Sequence, residues 1–95
     1  MRLNPEMANY LKQLIQEKIP GSAIYLFGSR VDDNSRGGDI DLMVITQNLV
    51  DKKIFTTIRI EFYKRFGWQK IDLINFTYED QSIFRQLIEP QAIEL

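Results

Sequence analysis

Apolar positions along this chain change period several times, and each change marks an element. Asn4-Pro5 has the form of a helix start, a capping side chain followed by proline at the first helical position. Met7, Leu11, Leu14 and Ile15 then recur at helical spacing until Pro20-Gly21 stops the segment. The short apolar run AIYLF (23–27), bounded by turn residues, predicts a buried strand. A polar, glycine-bearing loop, VDDNSRGG (31–38), separates it from a second strand, DIDLMVI (39–45). From about Asp51 to Arg65 the pattern lengthens again. Ile54, Ile58, Phe62 and Phe66 repeat every fourth residue, as one stripe of an amphipathic helix does, with Gly67 as its C′ residue. WQKIDLINF (68–76) predicts a third strand, and Asp80 to Ile88 a short final helix halted near Pro90. The order helix, strand, loop, strand, helix, strand, helix implies an α/β or α+β fold, with helices covering a small mixed sheet.

Composition narrows the chemistry. The 95 residues suit one domain over 1–95, and 44% apolar content supports a packed core rather than disorder. A net charge of −1 argues against wholesale nucleic-acid coating. There is no cysteine and no histidine, which removes disulfides, thiolate and imidazole metal sites, and Ser-His or Cys-His catalysis. A catalytic metal would have to be held by oxygens, which means magnesium, manganese or calcium. No apolar run approaches the ~18 residues of a membrane span, and the N-terminus has no signal-peptide core, so a cytoplasmic protein is expected.

The two carboxylates of Asp-Ile-Asp are out of place in a strand. Residues i and i+2 share a side, so Asp39 and Asp41 present both carboxylates together while Ile40 and Leu42 face the core. Two carboxylates about 4 Å apart repel by roughly 4 kcal/mol at an effective dielectric near 20. A divalent cation between them reverses that sign; a solvated sheet end would also accommodate them. A third acid, Asp72, lies between Ile71 and Leu73 in KIDLINF, and it can join the other two if strands 39–45 and 70–75 are neighbours. Asp32 and Asp33 read as turn residues with no further role.

Gly28-Ser29-Arg30 follows the first strand directly. Glycine permits a sharp bend and close approach of a ligand to the backbone. A helix starting at Ser29 or Arg30 would aim its free N–H groups out of that bend, a setting that suits phosphate, although the same dipeptide also makes an ordinary capped turn. Its weight comes from the acids that follow on the next strand. A phosphate cradle beside a carboxylate pair is what phosphoryl or nucleotidyl transfer requires.

Taken together, LFGSR…GGDIDLMV resembles the signature of the DNA polymerase β-like nucleotidyltransferase superfamily, and most closely that of the minimal nucleotidyltransferases, the MNT proteins. Many of these are MntA-like antitoxins encoded beside a HEPT-domain toxin. The resemblance spans nearly the whole chain, with a Gly-Ser-to-Asp spacer one residue shorter than the form usually quoted. It implies a polymerase β-like fold, Gly28 and Ser29 as the triphosphate-binding pair, Asp39 and Asp41 as ligands of two Mg2+ ions (Mn2+ is an alternative), and Asp72 as the third acid. Asp72 would complete one metal site and help deprotonate the attacking hydroxyl. Arg30 occupies a position that is often basic or polar in these motifs and joins the nucleotide-binding set; Arg36 does not.

The reaction the resemblance implies is transfer of AMP from ATP to a hydroxyl, a tyrosine, on a HEPT-type toxin, which makes the protein an adenylyltransferase and an antitoxin, assembled as a homo- or hetero-oligomer. The catalytic core is expected to use up these 95 residues, so that the acceptor is docked by a small surface or brings its own. The competing reading is a binding module of the same fold that masks a toxin stoichiometrically. A third is a plain α/β interaction domain without a nucleotide site. Tyr63, Trp68 and Tyr78 are candidates for a partner surface or for rim packing.

Overall fold

The computed structural model describes residues 3–31 and 38–95. Most of the loop expected at 31–38, with Asp32, Asp33 and Arg36, therefore lies outside the described residues. Helix α1 (Pro5–Lys18) starts as its sequence dictates, with the Asn4 side chain accepting from the Glu6 N–H at 2.8 Å and proline in the first turn. Leu11 and Ile15 point inward. Strand β1 (Ala23–Phe27) follows, then a single 3-10 turn over Gly28–Val31 where an α-helix start had been considered. Strand β2 (Ile40–Thr46) leads into helix α2 (Lys52–Phe66), capped by Asp51 and closed by Gly67, whose φ of +87° suits a residue without a Cβ. Strand β3 (Ile71–Thr77), helix α3 (Ile83–Ile88) and a two-residue strand β4 (Ile93–Glu94) complete the chain.

The sheet is mixed, in the order β3-β2-β1-β4. Strands β1 and β2 are antiparallel, with Phe27 opposite Asp41. Strands β2 and β3 run parallel, joined by α2 as the crossover, with Asp41 opposite Asp72. Side-chain alternation gives the sheet two faces. Ile24, Leu26, Ile40, Leu42, Val44 and Ile71 point to α1 and α2, where Phe55, Ile58 and Phe62 close the main core. Met43, Ile45 and Phe76 point to the other face, where Ile88 of α3 and Ala92 add cover. That second face carries Asp41 and Asp72 beyond the reach of α3.

Three details depart from the expectations. The third strand begins at Ile71 instead of Trp68: the first ladder bond runs from Ile40 N–H to Lys70 O, β2 offers nothing earlier to pair with, and Trp68 is left 79% exposed. The last helix begins at Ile83, because the Asp80 carboxylate accepts from Ser82 N–H and so forms a turn ahead of the Ser82 cap. Strand β4, too short to show a period, pairs with the outer edge of β1.

Candidate active site

The site forms at one end of the sheet, where the parallel register of β2 and β3 sets Asp41 and Asp72 side by side. Their carboxyl groups come close enough to interact directly, which disfavours ionising both at once unless a cation joins them. The Asp41 carboxyl is held above the usual carboxylate range, first by burial, then by the hydrogen bond and charge of Asp72, then by the charge of Asp39; Lys70 acts the other way.

Gly28 makes this crowding possible. It has a φ of +78°, and a Cβ built there would overlap Asp41 Oδ2 and lie 3.1 Å from its Cγ. The missing side chain thus serves two ends: the left-handed bend out of β1, and room for the carboxylate against the backbone. Ser29 is half-buried in the same 3-10 turn, one residue further on.

Asp39 is placed differently. It precedes β2 by one residue, and its Oδ2 lies 3.4 Å from Lys70 Nζ, an ion pair that is about half exposed on both sides. Lys70 is two residues ahead of Asp72, so the strand period sets it on the same side, and its ammonium is held above its usual pKa by Asp39 first, then Asp72. The backbone beneath Asp39 is clamped from both flanks. Arg30 donates from Nε to the Asp39 carbonyl at 3.2 Å and from Nη2 to the Gly38 carbonyl at 2.9 Å, while Gln69 Nε2 also donates to Gly38 O. Arg30, expected among the nucleotide contacts, is seen here as a brace for the approach to β2. Lys70 and Gln69 escaped sequence reading, though the Lys-x-Asp spacing of KID carried the signal for the first.

The structure therefore brings two of the three acids into contact and ties the third to a lysine. Among the described residues, no group of three acidic side chains is arranged to hold a metal ion. The Asp41–Asp72 pair nonetheless has donor chemistry that suits a hard divalent cation: all oxygen and half-buried. Two cavities among the described residues lie away from these acids. One of about 400 Å³ lies between α1 and α2, and one of about 360 Å³ lies beside Leu49, Phe55 and Leu73. Among the described residues, no helix is long and apolar enough to cross a membrane.

A family model described as Polymerase beta, Nucleotidyltransferase matches residues 9–93. Among solved structures, a chain of the complex between tri-AMPylated Shewanella oneidensis HEPN toxin and MNT antitoxin matches with a TM-score of 0.69 and 21% identity, over 94% of this chain and 68% of that one. Chains from two mutants of the toxin–antitoxin complex MntA-HpeT match with TM-scores of 0.73 and 0.74 and identities of 22% and 23%. These two cover 97% and 98% of this chain, and 71% and 72% of their own. The likenesses establish a shared fold. Among curated protein sequences nothing matches the chain.

Proposed function

The chain belongs to the polymerase β nucleotidyltransferase family, and from that premise we propose that it is a Mg2+-dependent adenylyltransferase acting as an antitoxin, which moves AMP from ATP to a tyrosine hydroxyl of a HEPT- or HEPN-type toxin. The observation that carries this reading is the Asp41–Asp72 pair, set by the parallel register and pressed against the bare backbone of Gly28. Two carboxyl groups held this close and partly buried are costly unless a cation offsets them. The fold shared with MNT antitoxin structures, which are complexes with a toxin, supports the partner class, and the cytoplasm is the setting this reading takes.

Asp41 and Asp72, joined by Asp39 once it leaves Lys70, would hold Mg2+, and Mn2+ suits the same oxygens. Bound there, the metal supplies charge neutralisation for a triphosphate and acidity for an attacking hydroxyl. Gly28 lets polyphosphate approach the backbone, and the Ser29 hydroxyl offers it a donor. Arg30 keeps the Gly38–Asp39 backbone in place from behind. Asp72 receives the acceptor's proton as its oxygen bonds the α-phosphorus and pyrophosphate departs with the electron pair of the broken phosphoanhydride bond.

Intact-mass analysis of the cognate toxin, after incubation with this protein, Mg2+ and each NTP in turn, tests the reading. A gain of one or more AMP units with ATP supports it, and no gain with any NTP overturns it. One observation favours a second reading. Asp39 is engaged by Lys70 and, among the described residues, no three acids are grouped for a metal, as would suit a module of the same fold that neutralises a toxin by stoichiometric binding. Asp41→Asn separates the two, since a catalyst loses neutralisation and a mask keeps it.

A further inference from the structure

Helix α3 is fastened from below and bare on top. Its inner residues are Arg85 and Ile88. Arg85 Nη1 donates to the carbonyls of Thr77 at 2.6 Å, Tyr78 at 3.2 Å and Asp80 at 2.8 Å, which ties the helix to the end of β3. Ile88 packs on Met43, Ile45 and Phe76. The outer residues Ile83, Phe84 and Leu87 are 76%, 50% and 66% exposed. They form one apolar ridge on six residues, at spacings i, i+1 and i+4. Phe84 alone leans on the body of the protein, 6.2 Å from the Phe76 ring. The fold thus anchors the helix through its inner side while burying little of this ridge, which is unusual for three large apolar side chains in so short a helix.

The ridge has a charge signature. Between residues 78 and 95 the chain carries four acids, Glu79, Asp80, Glu89 and Glu94, and one cation, Arg85. That cation is buried, spent on three carbonyls and 4.0 Å from Glu89. Acids flank the helix at both ends, Glu79 and Asp80 before it and Glu89 after it. Position matters as much as charge. Ile88 of α3 packs on the face of the sheet that carries Asp72, and Phe76, beside Phe84, lies four residues along β3 from Asp72, about 13 Å at the usual strand rise.

We infer that the Ile83–Phe84–Leu87 ridge is the docking surface for the acceptor protein, and that it takes an apolar patch rimmed by lysine and arginine. This rests on the transfer reading above and adds to it where the substrate sits. Charge decides the occupant: a second copy docked ridge to ridge would set two acidic rims against each other, whereas a basic rim is attracted to this one. Three apolar side chains make an anchor within a larger interface, not the whole of it. A protein seated there covers the same sheet face as the acids, so a hydroxyl on its near side has a short path to Asp72.

The test uses the full chain and purified cognate HEPN-type toxin. Leu87→Asp is expected to weaken toxin binding at least tenfold by calorimetry and to slow AMP transfer in proportion, with Mn2+-ATP binding and the thermal midpoint unchanged. Glu79→Lys, which leaves the ridge intact, is expected to weaken binding a few-fold and to flatten its dependence on NaCl. If the wild type binds toxin but transfers nothing, the chemistry proposed above fails while the ridge is still judged by binding. If Leu87→Asp binds toxin as the wild type does, the ridge assignment is overturned alone. It is also overturned if the variant only converts a self-associated wild type to monomer, and absence of toxin binding by the wild type overturns both readings.

Discussion

Replacing Asp41 with asparagine should make the metal-free protein more stable while removing its response to metal. The side chain is half-buried, lies against Gly28 and faces Asp72 across the parallel register. Two carboxylates about 4 Å apart repel by roughly 1 kcal/mol at the dielectric of water and roughly 4 kcal/mol at an effective value of 20. Partial exposure puts the pair near the lower end, about 1–2 kcal/mol after screening. Asparagine keeps the size that fits against Gly28 and its amide can donate to the Asp72 carboxylate, so repulsion is the main quantity removed. Each 1 kcal/mol moves the midpoint of a domain this size by roughly 4–8 °C, so Asp41→Asn should melt at least about 4 °C higher in EDTA at pH 7.

The sign with pH follows from the direction of the shift. The Asp41 carboxyl is raised in the folded state, so its contribution to stability is fully present below the ordinary carboxylate value of 3.8 and is lost as pH rises through the raised value. The gap between variant and wild type should therefore be widest near neutrality and close toward acid pH. Differential scanning calorimetry from pH 4 to 8, in EDTA and in excess Mg2+, reads both effects. Mg2+ should raise the wild-type midpoint and leave that of the variant where it was. A variant less stable than wild type at neutral pH, or a gap indifferent to pH, would refute the reasoning.

Gly28→Ala should cost more than the ordinary strain of a positive φ, because the new methyl meets the Asp41 carboxylate; urea denaturation should show a loss of at least about 2 kcal/mol, and Mg2+ should no longer raise the midpoint. Lys70→Gln should tighten Mn2+ binding a few-fold, read by electron paramagnetic resonance, because it frees Asp39 from its ion pair; unchanged or weaker binding would show that the lysine does not compete for the acid. Arg85→Ala strips a charged donor from three carbonyls and should destabilise by about 2–3 kcal/mol, with the loss visible as hydrogen exchange in α3 before β2.

Much of the site could be read from the chain because its parts are local. Gly28, Ser29 and the Asp39-x-Asp41 alternation each sit within one element, and the strand period alone puts the two acids on one side of it. What joined Asp72 to Asp41 was register, a non-local quantity fixed by the α2 crossover, and the sequence could state it only as a condition. The grouping of all three acids was expected on that condition, and the structure qualifies it: Asp39 falls outside the ladder and within reach of Lys70. Arg30 shows a related limit, since its hydrogen bonds to the carbonyls of Gly38 and Asp39 depend on where the chain returns to start β2, which the sequence does not state.

The core showed the same division. The every-fourth stripe located α2, yet Phe55, off that stripe, is buried while Ile54 and Phe66 only flank the core, because the sheet meets the helix over a wider arc than one row of residues. Of the three aromatics considered for a partner surface, Tyr63 packs on the core, Trp68 is exposed, and Tyr78 is half-exposed with its hydroxyl bonded to the Gly21 carbonyl. The ridge on α3 was hidden because Ile83, Phe84 and Leu87 look like core residues until the inward turn of Arg85 shows which side of the helix is down.

The most direct test is anomalous diffraction from crystals grown with Mn2+ and a non-hydrolysable ATP analogue. The expected result is a manganese peak between the carboxylates of Asp41 and Asp72, with Asp39 turned away from Lys70 and the analogue's phosphates against Gly28 and Ser29. Manganese absent from that pair while the nucleotide binds elsewhere, or does not bind, would contradict the assignment of these acids as a metal-dependent transfer site.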